Sequence, residues 1–87
     1  MRKRSSPEIV ATILEAANGG GIGKTRLLTV ANLTSSQFRK NIDLLVEKGL
    51  LAEFNRDSGH HSYRTTGLGL KYLALYNSIK AVAYIDV

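Results

Sequence analysis

The fold turns on ANLTSSQFRKNIDLLVEKGLLAEFNRDSGHHSYRTT, residues 31–66. Asn32 and Leu33 make a tight turn. Thr34 and Gln37 then have the capping-box spacing, a hydroxyl cap with an amide three residues on. A helix is therefore expected from Ser35 to about Lys48, with Phe38, Ile42, Leu45 and Val46 on one apolar face and Gly49 as its stop. Beyond Gly49 the texture changes. Leu50 to Phe54 reads as a strand, Asn55 to Gly59 as a turn-rich loop, and His61 to Thr65 as the return strand, a hairpin of about 15 residues.

Upstream, a short helix is expected from Lys24 to about Ala31, with Leu27, Leu28 and Ala31 on its apolar side. A short extended segment centred on Ile22 precedes it, between Gly21 and Gly23. The first helix opens at Ser5, Ser6, Pro7 and Glu8: a hydroxyl cap, a first-turn proline, then an acid. Ile9, Val10, Ile13, Leu14 and Ala17 form its apolar face, and Asn18 with Gly19 to Gly21 ends it. Downstream, Thr65 or Thr66 caps a last helix running from about Gly67 into the eighties. The order is mainly α with a small β-hairpin, α-α-α-β-β-α. Two helices joined by a tight turn and followed by a hairpin are the layout of a winged helix-turn-helix, in which the second helix of the pair enters the DNA major groove and the hairpin is the wing. The expected organisation is a winged helix-turn-helix domain over residues 1–66, with 1–6 as a basic arm, and a C-terminal dimerisation helix over 67–87.

At 87 residues the chain makes one small domain. With 44% hydrophobic residues it is too apolar for a disordered chain. A domain this size buries only roughly 60–65% of its unfolded surface. Cysteine is absent, which excludes a disulfide or thiolate metal site and leaves self-association as the expected supplement to the core. Arg2, Lys3 and Arg4 make the N-terminus basic, but the apolar run after them is short and bounded by Glu8 and Glu15, unlike a signal-peptide core. No stretch approaches the ~20 apolar residues of a membrane span. A soluble, cytoplasmic, nucleoid-associated protein is expected. Twelve Lys and Arg against seven Asp and Glu give a net charge of +5 and a pI near 9.8, so a polyanion is the first partner to consider.

The placement of charge sharpens this expectation. Between Glu15 and Asp43 there is no acid, and Lys24, Arg26, Arg39 and Lys40 fall in that window. On a wheel of about 100° per residue, Ser36, Lys40, Asp43 and Glu47 point away from the apolar face of the third helix, with Gln37 and Arg39 on the flanks. The N-terminal half of that outer surface is basic and the C-terminal half acidic. This suits a helix docking by its N-terminal end, where the helix dipole also favours phosphate. Ser35, Ser36, Gln37, Arg39 and Lys40 are the expected groove contacts. Lys24, Arg26, Arg56 and Arg64 are the expected phosphate contacts, with His60 and His61 touching solvent or phosphate at the loop tip. The residues at 2–4 read equally as an arm on the phosphates or as a solubilising terminus.

Several other motifs lead nowhere. Gly19 to Thr25 reads GGGIGKT, close to a phosphate-binding loop, but the first glycine of that pattern falls on Asn18 and a helix stands where the motif needs a strand. His60 and His61 are adjacent, poor geometry for two ligands on one metal. Asn32-Leu33-Thr34 matches a glycosylation sequon, yet Thr34 is needed as a cap. No triad or carboxylate pair stands in a catalytic motif. Neither enzymatic activity, a metal nor a cofactor is expected.

In the last helix Leu68, Tyr72, Leu75, Ile79 and Val82 are spaced 4, 3, 4 and 3, a heptad seam of about two repeats. Leu70, Leu73, Ala74, Ala81 and Tyr84 make the opposite face apolar too. A helix apolar on both sides needs cover on both. One side is expected to pack on its own domain and the heptad seam on a second copy.

Glu8-Ile9-Val10 to Ile13-Leu14-Glu15-Ala16-Ala17, Gly23-Lys24-Thr25-Arg26, Ala31-Asn32-Leu33-Thr34, Leu44 to Leu51, Tyr63-Arg64-Thr65-Thr66, Gly69-Leu70 and Tyr76-Asn77 carry a likeness across nearly the whole chain. In these residues the chain resembles the archaeal winged-helix DNA-binding proteins, small predicted transcriptional regulators related to a dimeric archaeal chromatin protein. The resemblance implies DNA binding, and the chromatin member dimerises through its last helix as an antiparallel coiled coil. The expected function is a homodimeric, double-stranded DNA-binding transcriptional regulator. An architectural chromatin protein with little sequence preference and a winged-helix protein-interaction module are the rival readings.

Overall fold

The computed structural model describes residues 6–55 and 61–85, and local chemistry accounts for each of their elements. In chain order these are α1 (Ser6–Ala16), β1 (Ile22–Gly23), α2 (Lys24–Val30), α3 (Ser35–Glu47), β2 (Leu51–Asn55), β3 (His61–Thr65) and α4 (Gly67–Ile85). Residues 1–4 of the basic arm, the cap candidate Ser5, and Arg56 and His60 of the hairpin lie outside the described residues.

The turn between α2 and α3 is built from two caps. At the end of α2, Asn32 N–H donates to Thr29 O at 3.2 Å and Leu33 N–H to Leu28 O at 2.9 Å. This is the Schellman pattern, with Asn32 at φ 54° in the left-handed position. Thr34 then caps α3. The same device ends α3. Gly49 N–H donates to Val46 O at 3.1 Å and Leu50 N–H to Leu45 O at 2.9 Å, with Gly49 at φ 78°, a conformation that favours glycine.

The sheet is antiparallel with strand order β1-β3-β2. Leu51, Ala52, Glu53, Phe54 and Asn55 pair with Thr65, Arg64, Tyr63, Ser62 and His61. The extended segment at Ile22 proves to be a third strand, with Ile22 opposite Tyr63 and Gly23 opposite Ser62. The sequence suggested only a two-stranded hairpin because a two-residue strand is too short to show alternation.

Ile13, Leu14, Leu27, Leu45 and Leu51 are fully buried and bring α1, α2, α3 and β2 to one core. Phe38, Ile42, Tyr63 and Leu73 join it. Phe38 and Tyr63 meet edge to face, with centroids 5.6 Å apart. Thr65 ties β3 to α1: its hydroxyl donates to Leu14 O at 2.5 Å, and its N–H donates to Ala17 O at 3.0 Å. Thr66, rather than Thr65, caps α4. Its Oγ1 accepts from Gly69 N–H at 3.1 Å and donates to Gly49 O at 2.5 Å. One residue thus fixes the start of α4 to the end of α3.

The packing of α4 corrects the sequence reading. Of the face expected to cover the domain, Leu73 is buried at 8% exposure, but Leu70 and Ala74 face solvent. The stripe that packs inward is Gly69, Leu73 and Tyr76, at i, i+4 and i+7, flanked by Tyr72. Tyr72, assigned to the partner-facing seam, leans on its own α1, with its hydroxyl 3.5 Å from Pro7 O, and its ring stacks on Tyr76. The rest of the seam is open: Leu68, Leu75, Ile79 and Val82 are 51, 66, 69 and 65% exposed. Among the described residues no helix is long and apolar enough to cross a membrane.

Candidate nucleic-acid interface

The first turn of α3 carries the clearest constellation. Thr34 Oγ1 accepts from Gln37 N–H at 3.1 Å, and Gln37 Oε1 accepts from Thr34 N–H at 3.0 Å. This reciprocal cap fixes the angle at which α3 leaves the turn. Ser35, Ser36, Arg39 and Lys40 are all exposed and line one shallow surface depression. Two hydroxyls and two cations thus gather at the positive end of the helix dipole, an arrangement suited to anionic oxygens and base edges.

Gln37 stands apart from that group. Its side-chain oxygen is engaged in the cap and it is partly buried. The cap leaves the amide N–H groups and one lone pair of that oxygen for a ligand, in an orientation set by the helix end.

Lys24, at the start of α2, joins the α3 side of the domain. Its Nζ lies 5.7 Å from the centroid of the Phe38 ring, within cation–π range. Arg26 is exposed on a different surface, beside Gly21, Ile22, Gly23 and Val30.

The hairpin divides its charges between two faces. Residues directly opposite across a ladder share a face. Glu53 therefore shares one with Tyr63, while Ala52 shares the other with Arg64. Arg64 sits 5.0 Å over the Phe54 ring on that second face. On the first, His61 Nδ1 lies 3.0 Å from Glu53 Oε2, and the Tyr63 hydroxyl donates to the same oxygen at 3.3 Å. Burial pushes the Tyr63 phenol up to about 12, and the negative charges of Glu53 and then Asp43 add to it. Glu53 and Asp43 thus bring negative charge to Tyr63, between α3 and the hairpin. The sequence pattern assigns Glu53 no role. The register that sets it opposite Tyr63 was the missing signal.

Along α4, Lys48, Leu50, Leu68, Lys71, Tyr72 and Leu75 line a mostly apolar groove between its first turns and the end of α3. The seam is thus continuous with the body of the domain. Among the described residues no group of three or more His, Asp or Glu could hold a metal ion.

A family model described as winged helix-turn-helix matches residues 3–84. No curated protein sequence matches the chain. Among solved structures, the chain is similar to Sso10a-2, a DNA-binding protein from Sulfolobus solfataricus, with a TM-score of 0.84 and 22% identity over 93% of this chain and 83% of that one. It is also similar to the transcriptional repressor CouR bound to a 23-mer DNA duplex, with a TM-score of 0.72 and 22% identity over 97% of this chain and 60% of that one. A third likeness is to a transcriptional regulator of the MarR family from Silicibacter pomeroyi, with a TM-score of 0.73 and 20% identity over 92% of this chain and 54% of that one. The chain therefore spans less than two thirds of the last two proteins. At these identities the likenesses concern the fold.

Proposed function

The chain belongs to the winged helix-turn-helix family, and from that premise we propose that it binds double-stranded DNA as a homodimeric transcriptional regulator. The observation that carries this reading is the clustering of Ser35, Ser36, Arg39 and Lys40 in one depression at the capped start of α3. The fold shared with CouR, which is bound to a DNA duplex, supports it.

In this reading α3 lies in the major groove, which is about 12 Å wide and admits a helix. Arg39 and Lys40 reach guanine edges or phosphates, and the two serines bond either. Gln37 acts mainly by holding the helix end. Lys24, Arg26 and the hairpin residues Arg56, His60, His61 and Arg64 serve the phosphates. Leu68, Leu75, Ile79 and Val82, with the edge of Tyr72, pair with a second copy. Two-fold symmetry then presents two copies of α3 to a pseudo-palindromic site. The chain works in the cytoplasm on the nucleoid and carries out no catalysis.

The test is fluorescence anisotropy across a salt series, with random duplex and with a genomic fragment from the protein's own promoter. Salt-steep binding with a clear preference for the promoter supports the regulator. Equal binding to both replaces it with an architectural DNA-coating protein. No binding to either at low salt overturns the DNA reading and leaves the apolar surface of α4 as the working surface of a protein-interaction module.

A further inference from the structure

A carboxylate beside a polyanion-binding surface costs affinity unless it is neutralised. Glu53 is such a group. It shares the Tyr63 face of the hairpin, and its Oε2 is contacted by Tyr63 and His61. Tyr63 in turn packs against Phe38 of α3, and Lys24 lies over the other end of that aromatic pair. The nearest titratable partner of Glu53 is thus His61, an exposed imidazole 3.0 Å away.

We propose that His61 is a proton-linked counter-charge for Glu53, so that binding of duplex DNA takes up a proton at His61. This rests on the DNA-binding reading above and adds a regulation to it. With His61 neutral, Glu53 repels approaching phosphates. With His61 protonated, the pair is neutral overall and the imidazolium keeps a second N–H for a phosphate oxygen. Phosphates near the imidazole favour its charged form, so DNA and proton bind with positive coupling.

Charged and titratable groups face the pair from the neighbouring elements. On β2 and β3 they are Glu53, Tyr63 and, on the opposite face, Arg64. From α3, Asp43 acts on Tyr63 with the same sign as Glu53, which enlarges the need for a counter-charge. From α2, Lys24 is held over Phe38. From β1 come only Ile22 and Gly23. In sequence, Arg56, Asp57 and His60 are the other charged or titratable residues of the hairpin.

The experiment measures duplex affinity by anisotropy at constant ionic strength from about pH 5.5 to about pH 8, bracketing the usual histidine range. Proton uptake is counted separately by calorimetry in two buffers of different ionisation enthalpy. A shift of one pKa unit on binding corresponds to about tenfold in affinity, and a weakening of that order is expected as pH rises. His61→Gln should lower affinity at the acid end, leave it little changed at the alkaline end, and abolish most of the buffer-dependent heat. Glu53→Gln should raise affinity at the alkaline end and flatten the profile. Binding that is strong but independent of pH, or a slope retained in His61→Gln, overturns the proton linkage and leaves the DNA reading standing. Absence of DNA binding at every pH removes both.

Discussion

Thr34 and Gln37 hold each other at the start of α3: each backbone N–H donates to the other residue's side-chain oxygen, at 3.0 and 3.1 Å. The pair therefore makes structure at the position where a base-reading amide was expected. Thr34→Ala removes one acceptor and should cost about 1 kcal/mol. In a domain of this size that corresponds to a fall in Tm of about 4–8 °C. Gln37→Ala should also lower Tm, and it should weaken binding to all duplexes alike rather than at one base pair. A calorimetric scan and a competition series of single-base variants test the two halves. A loss confined to one base position would show that Gln37 reads DNA after all.

Gly69 lies in α4, where glycine to alanine ordinarily stabilises by about 1 kcal/mol. Here the sign should reverse. A Cβ at this position would collide with Leu50 O and stand 2.6 Å from Thr65 Cγ2. The first neighbour is backbone, and the second belongs to a buried residue bonded to Leu14 O, so neither yields easily. Gly69→Ala should lose about 1–3 kcal/mol, read as an earlier urea midpoint with an unchanged slope. Gly67→Ala, whose Cβ meets nothing within 4 Å, is the control and should be neutral or stabilising.

Much of this architecture is legible in the sequence because short-range chemistry decides it. The spacing of Thr34 and Gln37 gives the start of α3, Gly49 gives its end, and the turn residues after Asn55 give the hairpin. The misses are all relations between distant residues. Ile22–Gly23 becomes a strand only because β3 offers it an edge. Tyr72 turns to its own α1, and Leu70 and Ala74 turn to solvent, because α1 meets α4 on the Gly69–Leu73–Tyr76 stripe, and a helix apolar on most sides does not announce which side its own domain covers. Glu53 gains importance only through the register that sets it beside Tyr63 and His61. The clustering of Ser35, Ser36, Arg39 and Lys40, by contrast, lies within one helical turn and a half and is readable from the wheel.

The phenol of Tyr63 is raised to about 12 by burial and then by Glu53 and Asp43. A tyrosine in the unfolded chain titrates near 10, so the folded state keeps its proton where the unfolded state loses it. The stability this provides is fully present below about pH 10. It is lost as pH rises from there through about 12. Tyr63→Phe cannot ionise. Its Tm should start lower, because the bond to Glu53 is gone, and should fall less steeply than that of the parent across this window. Parallel Tm curves would show that Tyr63 does not carry the alkaline transition.

Leu75 and Ile79 are 66 and 69% exposed, so they contribute little to the fold of a single copy. In a dimer through α4, burying a side chain of this size fully is worth about 1.5–3 kcal/mol. Leu75→Lys with Ile79→Lys should therefore leave the circular dichroism spectrum intact and weaken self-association by about 100-fold or more. Sedimentation equilibrium reads this directly. A parent chain that is monomeric at all concentrations, or a dimer indifferent to both lysines, would remove α4 from the interface.

Arg39 and Lys40 stand on the exposed surface of α3 within the depression they share with Ser35 and Ser36, so both can be changed without disturbing the core. If each neutralises one phosphate, losing it should reduce the magnitude of the slope of log affinity against log salt by about 1 and weaken binding to every duplex. If either contacts a base, its loss should cost roughly 1–3 kcal/mol at one position of the site and leave random duplex nearly untouched. The single variants Arg39→Ala and Lys40→Ala, each measured on both kinds of duplex across the salt series, assign one role to each residue. A double variant with undiminished affinity on both duplexes would show that α3 is not the DNA-reading helix, whatever the fold around it.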